Sequence, residues 1–347
     1  MTSRLFNRAT AVLATLILIA GWTIYRQNAN PSSSSRPPRS SFSGTIVIGT
    51  ATWPGYFPLY VAKDKGYFKD EGVNVEVTHV SSLAEVSKNY VAGKMQGRAN
   101  LTLDAVNESL QGLDHRIVLA VDYSSGADAI LAGPQIQTVE DFRGKKVGYE
   151  PDTLEEFFLV WALNESGLSL ADIESVSADP EQAARKLKSG EVDVAVTYEP
   201  FVSEFVASGD FHKVYSSADA PGLITDILTF RTDFVNEHPD AVHAVVRAYF
   251  RAIRLWKERP EEVYLIVAKA FGDTPQSIQK QLEGITILDE RDNETAFTYS
   301  PGLTSLYGNL REIGKFVSHH KGVPFSKLDT DRLVEDRFIR QLIDETR

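Results

Sequence analysis

From Thr45 onward the chain alternates short apolar runs rich in Val and Ile with longer stretches whose apolar positions recur at helical spacing. The short runs predict strands at 46–48, 73–77, 99–103, 117–121, 129–132, 146–149, 173–176, 192–197 and 228–231. Alternation of this kind predicts an α/β protein with largely parallel sheets rather than a sandwich or a bundle. The last third is mostly helical, with amphipathic stretches at 238–258, 260–271 and 301–317. Two strands, 129–132 and 227–230, flank about a hundred residues that carry their own strand–helix pattern. They are expected to lead the chain out of one lobe and back. Lobe 1 is then 45–132 with 228–347, and lobe 2, residues 133–227, is inserted in it.

The most informative stretch, IVIGTATWPGYFPLYVAKDKGYFKDEGVNVEV, runs from Ile46 to Val77. It reads as a buried strand, a loop holding Trp53, Pro54, Gly55 and Tyr56, a helix opened by Pro58, and a second strand. A glycine permits close backbone approach, and two aromatic rings offer flat apolar walls. The helix amino end points back at the loop, so the segment suits a small polar solute.

The first residues change the picture only at the amino end. Arg4 and Arg8 precede an apolar run of about 17 residues, 9–25, as in an export signal. Trp22, Ile24, Tyr25 and Arg26 stand where a small-x-small cleavage site is expected, so two readings stay open: a cleaved signal within 1–27, or a retained membrane anchor. Residues 28–44, rich in Ser and Pro, read as a flexible tether. The 347 residues carry a formal charge of -11 and no basic stripe, which argues against a nucleic-acid partner. There is no cysteine, which excludes disulfides, thiolate metal sites and cysteine nucleophiles. Of the seven histidines, His238 with His243 and His319 with His320 stand near one another in sequence. Their spacing suits a metal poorly, so they are read as solvated surface residues, and no metal or cofactor is expected.

The segment 53–77 resembles the first lobe of periplasmic substrate-binding proteins of the nitrate, sulfonate and taurine type, within the thiamine-pyrimidine synthase-like superfamily. Later segments resemble the same family in order: AGKMQGRANLTLDAV, VEDFRGKKVGYEPDTLEEFFL, GEVDVAVTYEPFVSEF and LTFRTDFVNEHPDAV. The resemblance implies the type II periplasmic binding fold, with two α/β lobes, two hinge strands and a ligand cleft closed by hinge bending. It also implies a monomeric solute-binding component of an ABC importer, which delivers a small molecule to a membrane permease. A membrane-tethered sensory domain is the second reading. A thiamine-pyrimidine synthase-like enzyme is the third, disfavoured because such enzymes use a cysteine-rich segment.

Ligand contacts are expected at strand ends that precede helices. The resemblance brings Trp53, Pro54, Gly55 and Tyr56 to the first wall. Asp104 either meets an amine or caps the following helix. Asp122, Tyr123 and Ser124 follow the strand 117–121, and Ser124, Ser125 and Gly126 either offer hydroxyl and amide donors to solute or form a plain hinge-side turn. Asp152 and Thr153 fit a helix cap with Glu155 or Glu156, which is compatible with ligand contact. Glu199, after Tyr198, is placed in the cleft or in a hydrogen bond across the hinge, and Thr225 and Asp226 at the return crossing. Asp104, Asp122, Glu199 and Asp226 are all acidic, with no Lys or Arg in those loops. A bare oxyanion is therefore disfavoured against an amine, an aminosulfonate or a heterocycle.

Overall fold

A computed structural model describes residues 42–80 and 82–346. The apolar run 9–25 and most of the Ser/Pro segment lie outside the described residues. Among the described residues no helix is long and apolar enough to cross a membrane.

Two sheets organise the chain. The first has the order β11-β4-β10-β3-β1-β2, with β1 (Thr45–Thr50), β2 (Asn74–His79), β3 (Gly97–Leu101), β4 (His115–Ser124), β10 (Thr225–Arg231) and β11 (Ile285–Ile287). The second has the order β7-β6-β8-β5-β9, with β5 (Asp128–Ala132), β6 (Lys146–Tyr149), β7 (Glu174–Ser177), β8 (Val194–Tyr198) and β9 (His212–Ser216). Strands β1, β2 and β3 run parallel, as do β6, β7 and β8.

The expectation of largely parallel sheets needs correcting. β10 runs antiparallel to both β3 and β4, β11 is antiparallel to β4, and β5 is antiparallel to β8 and β9. The cause is connectivity: strands that abut a crossing enter a sheet from the side where its other strands end. The crossings themselves lie at 125–127, between β4 and β5, and at 217–224, between β9 and β10. The stretch 129–132 is thus wholly a strand of the second sheet, and 227–230 wholly one of the first.

In parallel β1, Ile46 and Ile48 are fully buried on one face, while on the other Val47 is half-buried and Gly49 buried, which accounts for the apolar run 46–48. The helix Pro239–Glu258 covers the same sheet with an apolar stripe that includes Val242, Val245, Val246, Tyr249 and Phe250. Pro239 at its first turn costs no helical hydrogen bond. Asn293, fully buried, accepts from the Ala120 amide at 2.9 Å and donates to the Ala120 carbonyl at 2.9 Å. It thereby completes β4 where the ladder with β10 slips register.

Candidate functional site

That slip occurs between Asp226 and Ile227, which pair with Asp122 and Ala120. A bulge of this kind bends a strand and re-aims its side chains. Here it sets two acids side by side, Asp122 and Asp226 being direct cross-strand partners. Both are buried, and each receives a donor from the loop after β1. The Trp53 indole N–H donates to both carboxylate oxygens of Asp122, at 3.1 and 3.2 Å, and the Tyr56 hydroxyl donates to Asp226 Oδ1. Pro54, Gly55 and Tyr56 form one 3-10 turn that leads into the helix Phe57–Asp64 and fixes the spacing of the two donors.

Gly55 has a packing task within the protein. A Cβ there would stand 1.8 Å from Asp122 Oδ2 and 2.7 Å from the Trp53 indole nitrogen. The missing side chain makes room for the carboxylate and the indole. Gly55→Ala is therefore expected to cost about 1–3 kcal/mol, as overpacking does. Chemical unfolding reads it, and a loss within experimental error would show that the loop shifts freely.

More carboxyls join this pair. Burial raises Asp122 to about 8, with the Asp128 charge adding to it, although the Trp53 indole pulls the other way. Burial raises Asp128 to about 7, and Glu155 and Glu199 contribute. Asp226 is pushed well up by burial first and by Asp122 next. Asp104 and Glu155 are also raised, chiefly by burial. Asp122 and Asp226 in the first sheet and Asp104 in the helix after β3 thus sit in electrostatic reach of Asp128 and Glu155. Oδ2 of Asp128 and Oδ2 of Asp104 are buried with no hydrogen-bond partner among the described residues. Arg98, fully buried near Asp104, is committed elsewhere: its Nη1 meets Ser87 Oγ at 2.7 Å and Glu108 Oε1 at 2.8 Å.

The crossings border the acids. Ser217 Oγ lies 2.7 Å from Ser124 Oγ and accepts from the Gly126 amide at 2.7 Å. Gly284, at φ 80°, accepts from Ser125 N at 2.7 Å and Ala127 N at 3.2 Å. A Cβ on Gly284 would come 2.7 Å from the Ala127 nitrogen. Lys213 Nζ donates to the Gly126 carbonyl at 2.7 Å.

The remaining expected residues take local roles. Asp104 lies in the first turn of the helix Thr102–Leu110, since β3 stops at Leu101. Tyr123 donates to the Thr304 carbonyl at 2.7 Å. Thr153 caps the helix Leu154–Glu165, accepting from Glu155 N at 3.3 Å and donating to Glu155 Oε2 at 2.5 Å. Glu199 is used by Ser203, whose amide and hydroxyl donate to its two oxygens at 3.0 and 2.8 Å. Thr225 Oγ1 donates to the Gly222 carbonyl at 2.8 Å. Asp152 is exposed and faces His320 at 3.1 Å.

One histidine expectation needs correcting. His243 is buried under the helix Arg337–Thr346, beside Phe338 and Arg247, and burial lowers its pKa to about 4. His320 is exposed, as expected, and faces the carboxylates of Asp152 and Glu156. Asp128 and Ser217 are not among the residues expected from sequence, and Glu155 was expected only as a helix-cap partner. Asp128 follows the Ser-Ser-Gly turn closely enough to have been found, whereas Ser217 had no signal because β9 was not recognised.

Comparison with known proteins agrees with this architecture. Residues 53–263, well over half the chain, match the family described as NMT1/THI5 like. A putative aliphatic sulfonates-binding protein of Bacillus subtilis (strain 168) is 25% identical over 83% of this chain and 85% of its own. The crystal structure of the periplasmic aliphatic sulphonate binding protein SsuA from Escherichia coli superposes with a TM-score of 0.69 at 17% identity, covering 86% of this chain and all (100%) of that one. The alkanesulfonate-binding protein SsuA from Xanthomonas axonopodis pv. citri, bound to MOPS, gives a TM-score of 0.64 at 15% identity over 84% and 98%. At these identities the two structures establish the periplasmic binding protein fold.

Proposed function

Because the chain belongs to the NMT1/THI5-like family, we propose that it is the solute-binding component of an ABC importer, working as a monomer in the periplasm. It captures a small polar organic solute between its two sheet-centred lobes and hands it to a membrane permease. Residues 9–25 serve as export signal and, if retained, as the anchor. The role is capture rather than chemistry. In support, relatives along most of the chain carry sulfonate-binding names, and the fold is one that closes on ligand by hinge bending.

The observation that carries the choice of solute is the set of buried carboxyls, Asp122, Asp128 and Asp226, with an unpartnered oxygen on Asp128. A bare oxyanion would find no cationic side chain among these acids, whereas a protonated amine would supply the missing donor and stabilise the carboxyls in their charged form. The solute is thus an amine, an aminosulfonate or a nitrogen heterocycle lying beside Trp53 and Tyr56. MOPS, bound to the Xanthomonas relative, itself joins an amine to a sulfonate. A thermal-shift screen is the test. Amines and aminosulfonates at 100 times Kd should stabilise the protein by about 2.7 kcal/mol. Stabilisation by nitrate or sulfate with none by amines would overturn the reading.

A further inference from the structure

Away from the buried acids, His320 near the carboxyl end of the helix Leu306–Lys321 meets two carboxylates at the amino end of the helix Leu154–Glu165. Its Nε2 lies 3.1 Å from Asp152 Oδ1 and 3.5 Å from Glu156 Oε2. One ligand atom from each of the three residues falls within 4.8 Å of the others. A single hydrogen bond accounts for one of the two short contacts and leaves the second carboxylate converging on the same nitrogen. A tetrahedral ion accounts for both: with bonds of roughly 2.0–2.1 Å, its ligand atoms stand about 3.3 Å apart.

The three side chains are held before any ion arrives. The His320 ring stacks on Phe316 at 5.3 Å and 16°, and Phe316 packs on Phe157 at 5.0 Å. Glu156 is 3% exposed, and its Oε2 accepts from the Asp152 amide at 2.7 Å, an outer hydrogen bond of the kind that orients metal-binding carboxylates. Asp152 is open to solvent, so an ion could enter on that side and take water as its fourth ligand. One imidazole and two carboxylates suit zinc better than magnesium or calcium, which prefer an all-oxygen shell.

We propose that Asp152, Glu156 and His320 form a zinc site that staples the two lobes. Asp152 and Glu156 stand beside the second sheet, while the helix bearing His320 packs on Thr102–Leu110 beside the first. An ion held by all three favours the arrangement in which the lobes are together. By linkage, zinc tightens solute binding by the same factor as solute tightens zinc binding.

Calorimetric titration of the full chain with zinc chloride, without solute, tests the site directly. One ion per chain is expected, and His320→Ala should weaken binding more than roughly 100-fold, beyond the loss seen for outer-shell partners. Asp152→Asn should weaken it less, and His319→Ala should leave it unchanged. Cobalt(II) should give the intense visible absorption of a tetrahedral ion, lost in His320→Ala. The melting temperature of His320→Ala without metal shows whether that variant is folded. Absence of zinc binding by the parent chain overturns the proposal, as does binding that survives His320→Ala or fails equally in His319→Ala. Because no solute is present, the result stands apart from the solute screen.

Discussion

At pH 8 the solute-free Asp122→Asn variant should melt several degrees above the parent protein, and the gap should close as the pH falls toward 5. Asp122 is fully buried and titrates at about 8 in the folded chain, against 3.8 in a free side chain. The folded state therefore holds a proton that the unfolded state has released across this window. A group of this sign costs stability as pH rises from about 4 to about 8, and the cost is constant above that. Each unit is worth ~1.4 kcal/mol, so the penalty at pH 8 is on the order of several kcal/mol. Asparagine keeps an acceptor for the Trp53 indole and removes the charge. Asp128, raised to about 7, should give a smaller effect of the same sign. Melting curves from pH 5 to 9 check this, and a parent protein whose stability is flat or rises with pH would show that these acids are ionised without cost. The same protons should leave when a cationic solute binds, so calorimetry in buffers of different ionisation heat should record proton release near pH 7.

Glu108→Ala should be the most damaging single truncation away from the solute site, at about 3–5 kcal/mol. Arg98 is 0% exposed and its guanidinium lies 4.5 Å from the centre of the Tyr90 ring, with Glu108 as its anionic partner. Removing the carboxylate leaves a cation in a dry site with Ser87 as its one hydrogen-bond acceptor among the described residues. The double variant Arg98→Met with Glu108→Leu removes both charges and should recover much of the loss, since apolar replacement of a buried pair is often close to neutral. Urea unfolding of the three proteins separates the cases. A Glu108→Ala loss below about 1 kcal/mol would mean that the pair is effectively solvated.

The strands were legible where burial on both faces makes them apolar throughout. β1 and β4 carry continuous Val, Ile or Leu signals, and 146–149, KVGY, coincides with β6 from end to end although it holds a single Val. β9, with sequence HKVYS, and β11, only three residues long, are sheet-edge strands whose half-exposed positions mix polar and apolar residues, so the pattern hid them. β3 ends two residues early because Thr102 begins a helix, which moved Asp104 from a loop into a helical turn. Of the site, Trp53, Tyr56, Asp122 and Asp226 were named from their segments. Their partnership was not, because Trp53 meets Asp122 across 69 residues and Tyr56 meets Asp226 across 170. The absence of basic side chains from those loops was visible in the sequence, but burial of the acids, which decides their charge, depends on long-range packing.

The hydroxyl of Ser217 has a mechanical consequence. It belongs to the returning connection and is bonded to Ser124 at the end of β4 and to Gly126 of the outgoing connection. Two separate connections between rigid bodies would permit both bending and twisting, each with its own compliance. Pinned together, they act as one joint with a single easy axis, and Gly284, gripping the amides of Ser125 and Ala127, fixes where that axis emerges. If the chain captures solute as proposed, closure is expected to follow one path rather than many, and the acids of the two sheets to meet the solute in the same relative position each time.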